Sequence, residues 1–342
     1  MEFEFINPLN FPGWDDLVLS AGDYSFFHCT AWTRVLCESY GYRPSFFAMT
    51  EKAKLLAVIP FLEVNSFLTG RRAVSLPFSD YCEPLVFGQP CFSDIPGSLI
   101  EAAKKAGWKH LDFRGQSIFA PGIPVWSRYA GHRLKLSNAQ ELRSKLHTNT
   151  VRNLKKAKAR GIEIEVLDSF EGMGEYYRLH CLTRKRQAAP PQPFYFFKKI
   201  QEHICSKGKG RVILARYRGK AVAGAVFFHF GQKALYKYGA LDMDFGRLGA
   251  SAAVMWEAVS QYAAEGRHSF CFGRTDLDHQ GLRRFKLGFG AEEYFLDYRR
   301  FDVSKNGFVE GAPKNRLPLS GFMKHMPLPG LKAVGLAYRH FG

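Results

Sequence analysis

Between residues 251 and 265, apolar side chains fall at positions 254, 255, 258, 259 and 262. That is the spacing of an amphipathic helix. Gly266 is the expected stop, because glycine readily takes the left-handed conformation that ends helices. His268 to Phe272 reads as a short aromatic-rich strand. The polar loop Gly273-Arg274-Thr275-Asp276-Leu277-Asp278-His279-Gln280-Gly281 follows. A polar loop past the C-terminal end of a strand is a usual place for a site in an α/β sheet. A short helix and a strand complete this corner, and Phe285-Lys286-Leu287-Gly288-Phe289-Gly290 sets one lysine among aromatics and glycines.

In the first half, residues 30–40 predict a helix with Thr30 as cap and Gly41 as stop. Residues 45–49 and 55–64 predict two strands joined by a polar turn. A third strand over 71–76 leads into Pro77-Phe78-Ser79-Asp80-Tyr81-Cys82-Glu83-Pro84, a loop bracketed by prolines and holding two carboxylates. A helix over 96–106, a strand over 108–113 and a closing strand over 131–136 complete an α/β pattern.

In the second half, residues 138–160 predict one long helix, capped by Asn138 and stopped by Gly161. Leu142, Leu146, Val151, Leu154 and Ala157 give it a modest apolar stripe. Its other faces carry Arg143, Lys145, Arg152, Lys155, Lys156, Lys158 and Arg160. That basic surface reads either as a solvated linker helix or as a face for RNA or anionic lipid. Residues 162–167 alternate as a half-buried strand does. Helices over 174–186 and 194–205 flank the Pro190-Pro191 break. Strands over 211–217, 221–230 and 233–240 are joined by tight turns at Arg218-Gly219 and Gly231-Gln232. The resulting order is β-α-α-β-β-β-α-β-α-β.

Composition narrows the class. Hydrophobic residues make up 46% of the 342 and aromatics 15%, which is ample for packed cores and excludes global disorder. No apolar run reaches the ~18–20 residues that span a bilayer. The opening MEFEFINPLN lacks a basic region followed by an apolar core, so no secretion signal is expected. Seven scattered cysteines without a CxxC pair indicate neither a zinc site nor a disulfide framework; this fits a reducing cytoplasm. No HExxH spacing and no G-x-S-x-G elbow occur, which disfavours metal and serine-hydrolase chemistry. The net charge of +17 favours anionic partners, although solvated lysines alone also produce such a balance.

The succession of elements resembles the acyltransferase fold of the GNAT superfamily. The whole chain is similar to its Fem-type branch, in which two such units stand in tandem. That branch includes peptidoglycan-bridge aminoacyltransferases and GNAT proteins associated with exopolysaccharide and protein-sorting clusters. The likeness rests on Trp32 to Gly41, Gly70 to Pro84 (GRRAVSLPFSDYCEP), Leu182 to Arg186 with the prolines after it, and Phe272 to Phe289 (FGRTDLDHQGLRRFKLGF). It spans about residues 25–302. A weak internal repeat supports the tandem: residues 102–114 and 263–274 both read as helix end, glycine, strand and arginine. The resemblance implies an α/β (α+β) fold of two GNAT-like units with mixed, mostly antiparallel sheets flanked by helices. The expected divisions are 1–138, 139–302 and a basic tail over 303–342. It also implies an N-acyltransferase acting on an amine of a cell-envelope or exopolysaccharide precursor, with a phosphate-bearing or lipid-linked substrate.

Amide-forming acyl transfer needs a cradle for the donor, a partner for the tetrahedral oxyanion and an outlet for the amine proton. Lys286 stands in a segment, Phe285-Lys286-Leu287-Gly288-Phe289, that matches a Fem-type motif whose lysine is a substrate and transition-state cation. A lysine snorkelling from a short helix is the competing reading. Thr183-Arg184-Lys185-Arg186 resembles the segment that binds acceptor phosphates; Arg186 is the first choice and Arg184 its neighbour, against a helix end satisfying its dipole. Asp80 and Glu83 are candidates for the amine-side base, and loop carboxylates are also common turn residues. Arg274, Asp276 and Tyr238 complete the set. The usual CoA cradle, R/Q-x-x-G-x-G/A at a helix N-terminus, corresponds here to Asp244-Phe245-Gly246-Arg247-Leu248-Gly249-Ala250-Ser251 with altered spacing. Arg247, Gly249, Ala250 and Ser251 would hold acyl-CoA, such as acetyl-CoA. No coiled-coil arm is present, and aminoacyl-tRNA stays open as the other donor. No metal is expected.

The tail has two readings. It either packs back on the first unit or anchors the protein, peripherally, at an anionic membrane on the cytoplasmic face. A rival to the enzyme is a non-catalytic RNA- or membrane-binding protein on a degenerate GNAT scaffold, with the basic helix as its working surface.

Overall fold

Pro60 divides what reads as a single strand over 55–64. Lacking an N–H, it cannot continue a ladder, and the chain passes from one sheet to another there. A computed structural model describes residues 2–52, 54–87, 97–115, 122–311, 323 and 325–340. Cys91, Pro96, Lys314, Arg316 and Lys324 lie outside these residues. Along the chain run β1 (Glu2–Ile6), α1 (Trp14–Ser20), α2 (Thr30–Tyr40), β2 (Arg43–Pro44), β3 (Phe46–Glu51), β4 (Lys54–Ile59), β5 (Leu62–Ser66), β6 (Gly70–Val74), β7 (Leu85–Val86), α3 (Gly97–Lys105), β8 (His110–Arg114) and β9 (Ser127–Lys135). Then come α4 (Ala139–Ser144), α5 (Thr148–Ala159), β10 (Glu163–Leu167), α6 (Phe170–Arg186), α7 (Phe194–His203), β11 (Gly210–Tyr217), β12 (Lys220–Phe230) and β13 (Lys233–Leu241). The chain closes with α8 (Ala250–Ala264), β14 (Ser269–Asp276), α9 (Gln280–Leu287), β15 (Glu292–Asp302), β16 (Gly307–Val309) and α10 (Leu328–Gly335).

The chain divides into two compact units. The first comprises Met1–Tyr129, Phe295–Lys314 and Ala337–Gly342; the second comprises Ala130–Tyr294 and Asn315–Leu336. In the first, β1, β3, β4 and β7 form an antiparallel sheet. A second sheet runs β15–β8–β6–β5–β2, with β6 and β8 parallel. Phe47, Ile59, Phe61, Trp108, Leu111 and Phe113 pack together in its core. Neither β1 nor α1 is expected from the sequence. Phe3 and Phe5 of β1 are held by ring contacts with Phe47 and Trp108, a tertiary cause that local pattern does not carry.

In the second unit β10–β11–β12–β13–β14 form a sheet, antiparallel except for β13 and β14. Arg218 and Gly219, at φ 51 and 74, make the mirror-image turn that suits strand twist. Phe227, Phe270, Tyr262, Met255 and Val254 are core residues between the sheet and α8. The fold class is the expected one, an α/β fold with mostly antiparallel sheets flanked by helices.

Two elements differ from expectation. The long helix over 138–160 is two helices, α4 and α5. His147 is extended, at φ −66 and ψ 149, and its N–H donates to the Gly288 carbonyl at 3.0 Å. This long-range bond replaces the intrahelical one. The strand expected over 268–272 continues to Asp276. Gly273 and Thr275 are buried while Arg274 and Asp276 are exposed, so half of the expected loop is strand.

Candidate active site

Strands β13 and β14 run parallel, but their ladder covers only Lys233–Leu235 against Ser269–Cys271. Beyond it the two strands part. β13 stays paired with β12 as far as Leu241, with one irregularity. Val226 lies opposite Tyr238 and Phe227 opposite Tyr236, so Lys237 is an extra residue on β13. Such a bulge interrupts the ladder and re-aims the side chains beside it.

A cavity of about 250 Å³ opens along this stretch of β13, wholly within the second unit. β13 contributes Tyr236 and Gly239, α6 contributes Thr183 and Arg186, α8 contributes Ser251 and Met255, and α9 contributes His279 and Phe285. Each wall has a local cause. A Cβ on Gly239 would collide with the Tyr236 hydroxyl, so glycine lets the Tyr236 ring fold flat over the strand. Thr183 Oγ1 accepts from the Leu241 N–H at 3.0 Å and fastens the end of α6 to the end of β13. α8 is preceded by its cap Gly249, whose φ of 79 suits glycine, and whose Cβ would collide with the Asn153 carbonyl oxygen of α5. The first turn of α8, with its unsatisfied amides and positive dipole end, therefore meets the cavity at Ser251.

Arg186 is exposed on the cavity wall. Among the described residues its guanidinium makes no hydrogen bond or ion pair, unlike Arg184, which donates to the Pro190 carbonyl at 3.1 Å and to Gln187 Oε1 at 3.2 Å. Arg247 and Gly249 precede α8, Ala250 opens it and Ser251 reaches the cavity. Tyr238 is not a lining residue; its ring lies among Phe196, Phe197 and His180. Tyr236 and His279, which line the cavity, are not singled out by sequence. His279 Nδ1 accepts from the Leu282 N–H at 3.2 Å and caps α9, a role its residue type hardly advertises.

Lys286 is buried at 1% exposure. Its Nζ donates to the carbonyls of Gly273 at 3.0 Å and Arg274 at 3.1 Å. It stands behind the lining residues Leu282 and Phe285 of its own helix rather than in the cavity wall. Arg283 holds the far side of α9, with Nε and Nη2 on Glu293 at 2.9 and 2.6 Å. That pairing pushes the Glu293 carboxyl below its ordinary range and the Arg283 guanidinium above its own. His132, at 2.9 Å from Glu293, is pushed down to about 4, first by burial and then by the Lys286 charge.

Asp80 and Glu83 belong to the first unit. The Asp80 carbonyl accepts from the Tyr298 hydroxyl at 2.6 Å, and the Glu83 carbonyl accepts from His28 Nε2 at 2.7 Å. Their loop turns through Leu76 and Phe78 in left-handed conformation, at φ 46 and 60, held by Arg114, whose Nη1 donates to the Ser79 carbonyl at 2.9 Å.

Residues 144–296 match the acetyltransferase (GNAT) domain family. No curated protein matches the chain. Among solved structures the chain is similar to FemX, at 14% identity and a TM-score of 0.66, over 87% of this chain and 97% of that one. A tandem GNAT protein from the clavulanic acid biosynthesis pathway aligns at 9% identity and a TM-score of 0.57, over 88% and 98%. The C-terminal domain of a putative lysylphosphatidylglycerol synthetase from Agrobacterium fabrum aligns at 17% and 0.54, over 83% and 90%. No helix among the described residues is long and apolar enough to cross a membrane.

Proposed function

We propose, for a chain that carries a GNAT acetyltransferase domain on a Fem-type tandem fold, that it is an N-acyltransferase. It moves an acyl or aminoacyl group to an amine of a cell-envelope or exopolysaccharide precursor, working in the cytoplasm. The observation that carries this reading is the cavity beside the bulged strand β13, walled by α6, α8 and α9, with Arg186 and the first turn of α8 on its wall. Both suit a phosphate-bearing substrate or donor. The similarity of fold to FemX and the name of the putative lysylphosphatidylglycerol synthetase support this reading.

The donor is acyl-CoA or aminoacyl-tRNA. In either case the acceptor nitrogen attacks the acyl carbonyl, a C–N bond forms, and the C–S or C–O bond to the donor breaks. The bulge at Lys237 re-aims the backbone of β13 at the cavity wall, the side on which the tetrahedral oxyanion would need a donor. The amine sheds one proton as the C–N bond forms; Tyr236, on the cavity wall, protonates the departing thiolate or alkoxide and is reprotonated by the proton that the amine sheds. Lys286 fixes the end of β14, from which the chain turns into α9, and brings a buried positive charge to that side of the site. Arg247, Gly249, Ala250 and Ser251 hold donor phosphates. Asp80 and Glu83 lie outside the cavity and take no step in this reading.

Thermal unfolding with acetyl-CoA and, separately, with aminoacyl-tRNA tests the proposal. A donor at ~100 times its Kd adds roughly 2.7 kcal/mol of stability, a shift of a few degrees. A shift lost in Arg247→Ala supports donor binding at α8. No shift with either donor, and no transfer to an amine acceptor, would leave the non-catalytic scaffold as the better reading.

A further inference from the structure

The second unit carries an apolar groove that the transfer reaction does not use. Its volume is about 550 Å³, and Gly174, Tyr177, Phe194, Lys332, Ala333 and Leu336 line it. Close packing keeps it in place. Gly335 approaches the Pro191 carbonyl so nearly that a Cβ would collide with it, and the Tyr177 and Phe194 rings are 4.8 Å apart. Large apolar side chains around the groove stand in solvent. Leu336 is 65% exposed, and Phe170, on the same face of α6 as Gly174 and Tyr177, is 53% exposed. Two lysines border them. Lys332 Nζ lies 5.4 Å from the Tyr177 ring and Lys198 Nζ 5.4 Å from the Phe194 ring. From residue 311 to 342 the chain has no Asp or Glu and five Lys or Arg.

Exposed apolar side chains with a cationic border match the boundary of an anionic bilayer. The apolar groups enter the headgroup region and the ammonium groups pair with lipid phosphates. A second copy of the chain fits less well, because a two-fold contact would bring two lysine-bordered faces together. We propose that this face docks the protein on an anionic membrane surface. Phe170 and Leu336 enter the headgroup–acyl boundary, and Lys198 and Lys332 contact lipid phosphates. The docking is independent of the reaction assigned to the cavity.

The full chain would be sedimented with vesicles of phosphatidylglycerol and phosphatidylcholine, and with phosphatidylcholine alone, at low salt. Binding is expected only to the anionic vesicles. Each of Lys198→Glu and Lys332→Glu is expected to weaken it by about fivefold or more, and Leu336→Asp by about tenfold. Lys155→Glu with Lys156→Glu on α5 is expected to leave most of the binding. All these side chains are on the surface, so parental melting temperatures confirm that the variants fold. Absence of binding to anionic vesicles overturns the proposal, as does binding lost only with the α5 reversal. A concentration-dependent dimer that Leu336→Asp abolishes would give the groove to a second copy and overturn it equally.

Discussion

Lys286 Nζ donates to the main-chain carbonyl of Gly273 across 3.0 Å, and both residues are buried. The lysine thus fixes the part of β14 that runs on after its ladder with β13 has ended. Removing the ammonium leaves buried acceptors without this donor, at a cost of roughly 1–3 kcal/mol. Lys286→Met is expected to melt a few degrees lower, to keep a native circular dichroism spectrum and to lose turnover by about 100-fold or more. Steady-state rates below the melting range check this. Parental turnover in a folded Lys286→Met protein would make Lys286 a structural lysine.

Arg186 and Arg184 sit two residues apart and make opposite predictions. Arg186 presents its guanidinium at the cavity wall, whereas Arg184 is engaged with Pro190 and Gln187. A charge-assisted contact to phosphate contributes about 1.5–3 kcal/mol. Arg186→Gln is therefore expected to raise the KM for the phosphate-bearing substrate roughly 10- to 100-fold, with little change in melting temperature. Arg186→Lys should recover only part of it, since an ammonium lacks the bidentate fork. Arg184→Gln should act on stability instead. Equal KM effects from both would remove the distinction.

Apolar spacing makes α6, α7, α8 and the β11–β13 meander legible in the sequence, because their periods are local. Pro60 also stands in the sequence, yet the expected strand over 55–64 runs through it; its missing N–H accounts for the division of β4 from β5. The break between α4 and α5 was not visible, since it rests on the His147 N–H bonding to Gly288, 141 residues further along the chain. The resemblance to acyltransferase motifs singles out Arg186 and Ser251, and both line the cavity. Tyr238 is the expected residue and Tyr236 the one that lines the cavity; the bulge at Lys237 alters the side-chain alternation of β13 between them. Such a register shift is set by pairing with β12, not by the residues of β13 alone.

Gly249 joins two constraints at one position. Its φ of 79 is strained for any residue with a Cβ, and that Cβ would collide with the Asn153 carbonyl oxygen. The backbone term alone costs about 1–2 kcal/mol, and main-chain atoms of α5 cannot give way as a flexible side chain would. Gly249→Ala is expected to destabilise the second unit by roughly 2–4 kcal/mol and to displace the first turn of α8. Chemical denaturation measures the first effect and donor binding the second. Gly266, also left-handed at φ 74 but with no atom within 4 Å of a Cβ, is the control. Gly266→Ala should cost only the backbone term.

His180 sets an acid limit on the second unit. Burial, followed by the Arg184 charge, pushes its imidazole down to about 3, while the bond to Gln192, 2.8 Å from Nε2 to Oε1, opposes the shift. The unfolded imidazole, near 6.5, takes up a proton that the folded one refuses. Its contribution is complete above pH 6.5 and is lost progressively as the pH falls toward 3, by up to about 1.4 kcal/mol per unit. His229 and His132, each pushed down to about 4 with burial as the largest cause, add to the slope over pH 6.5 to 4. Denaturation free energy should thus begin to fall near pH 6.5, above the range in which the carboxylates titrate. His180→Gln removes one titrating group and should flatten the slope by about one proton. An unchanged slope in that variant would mean that the folded protein protonates His180 as readily as the unfolded chain does.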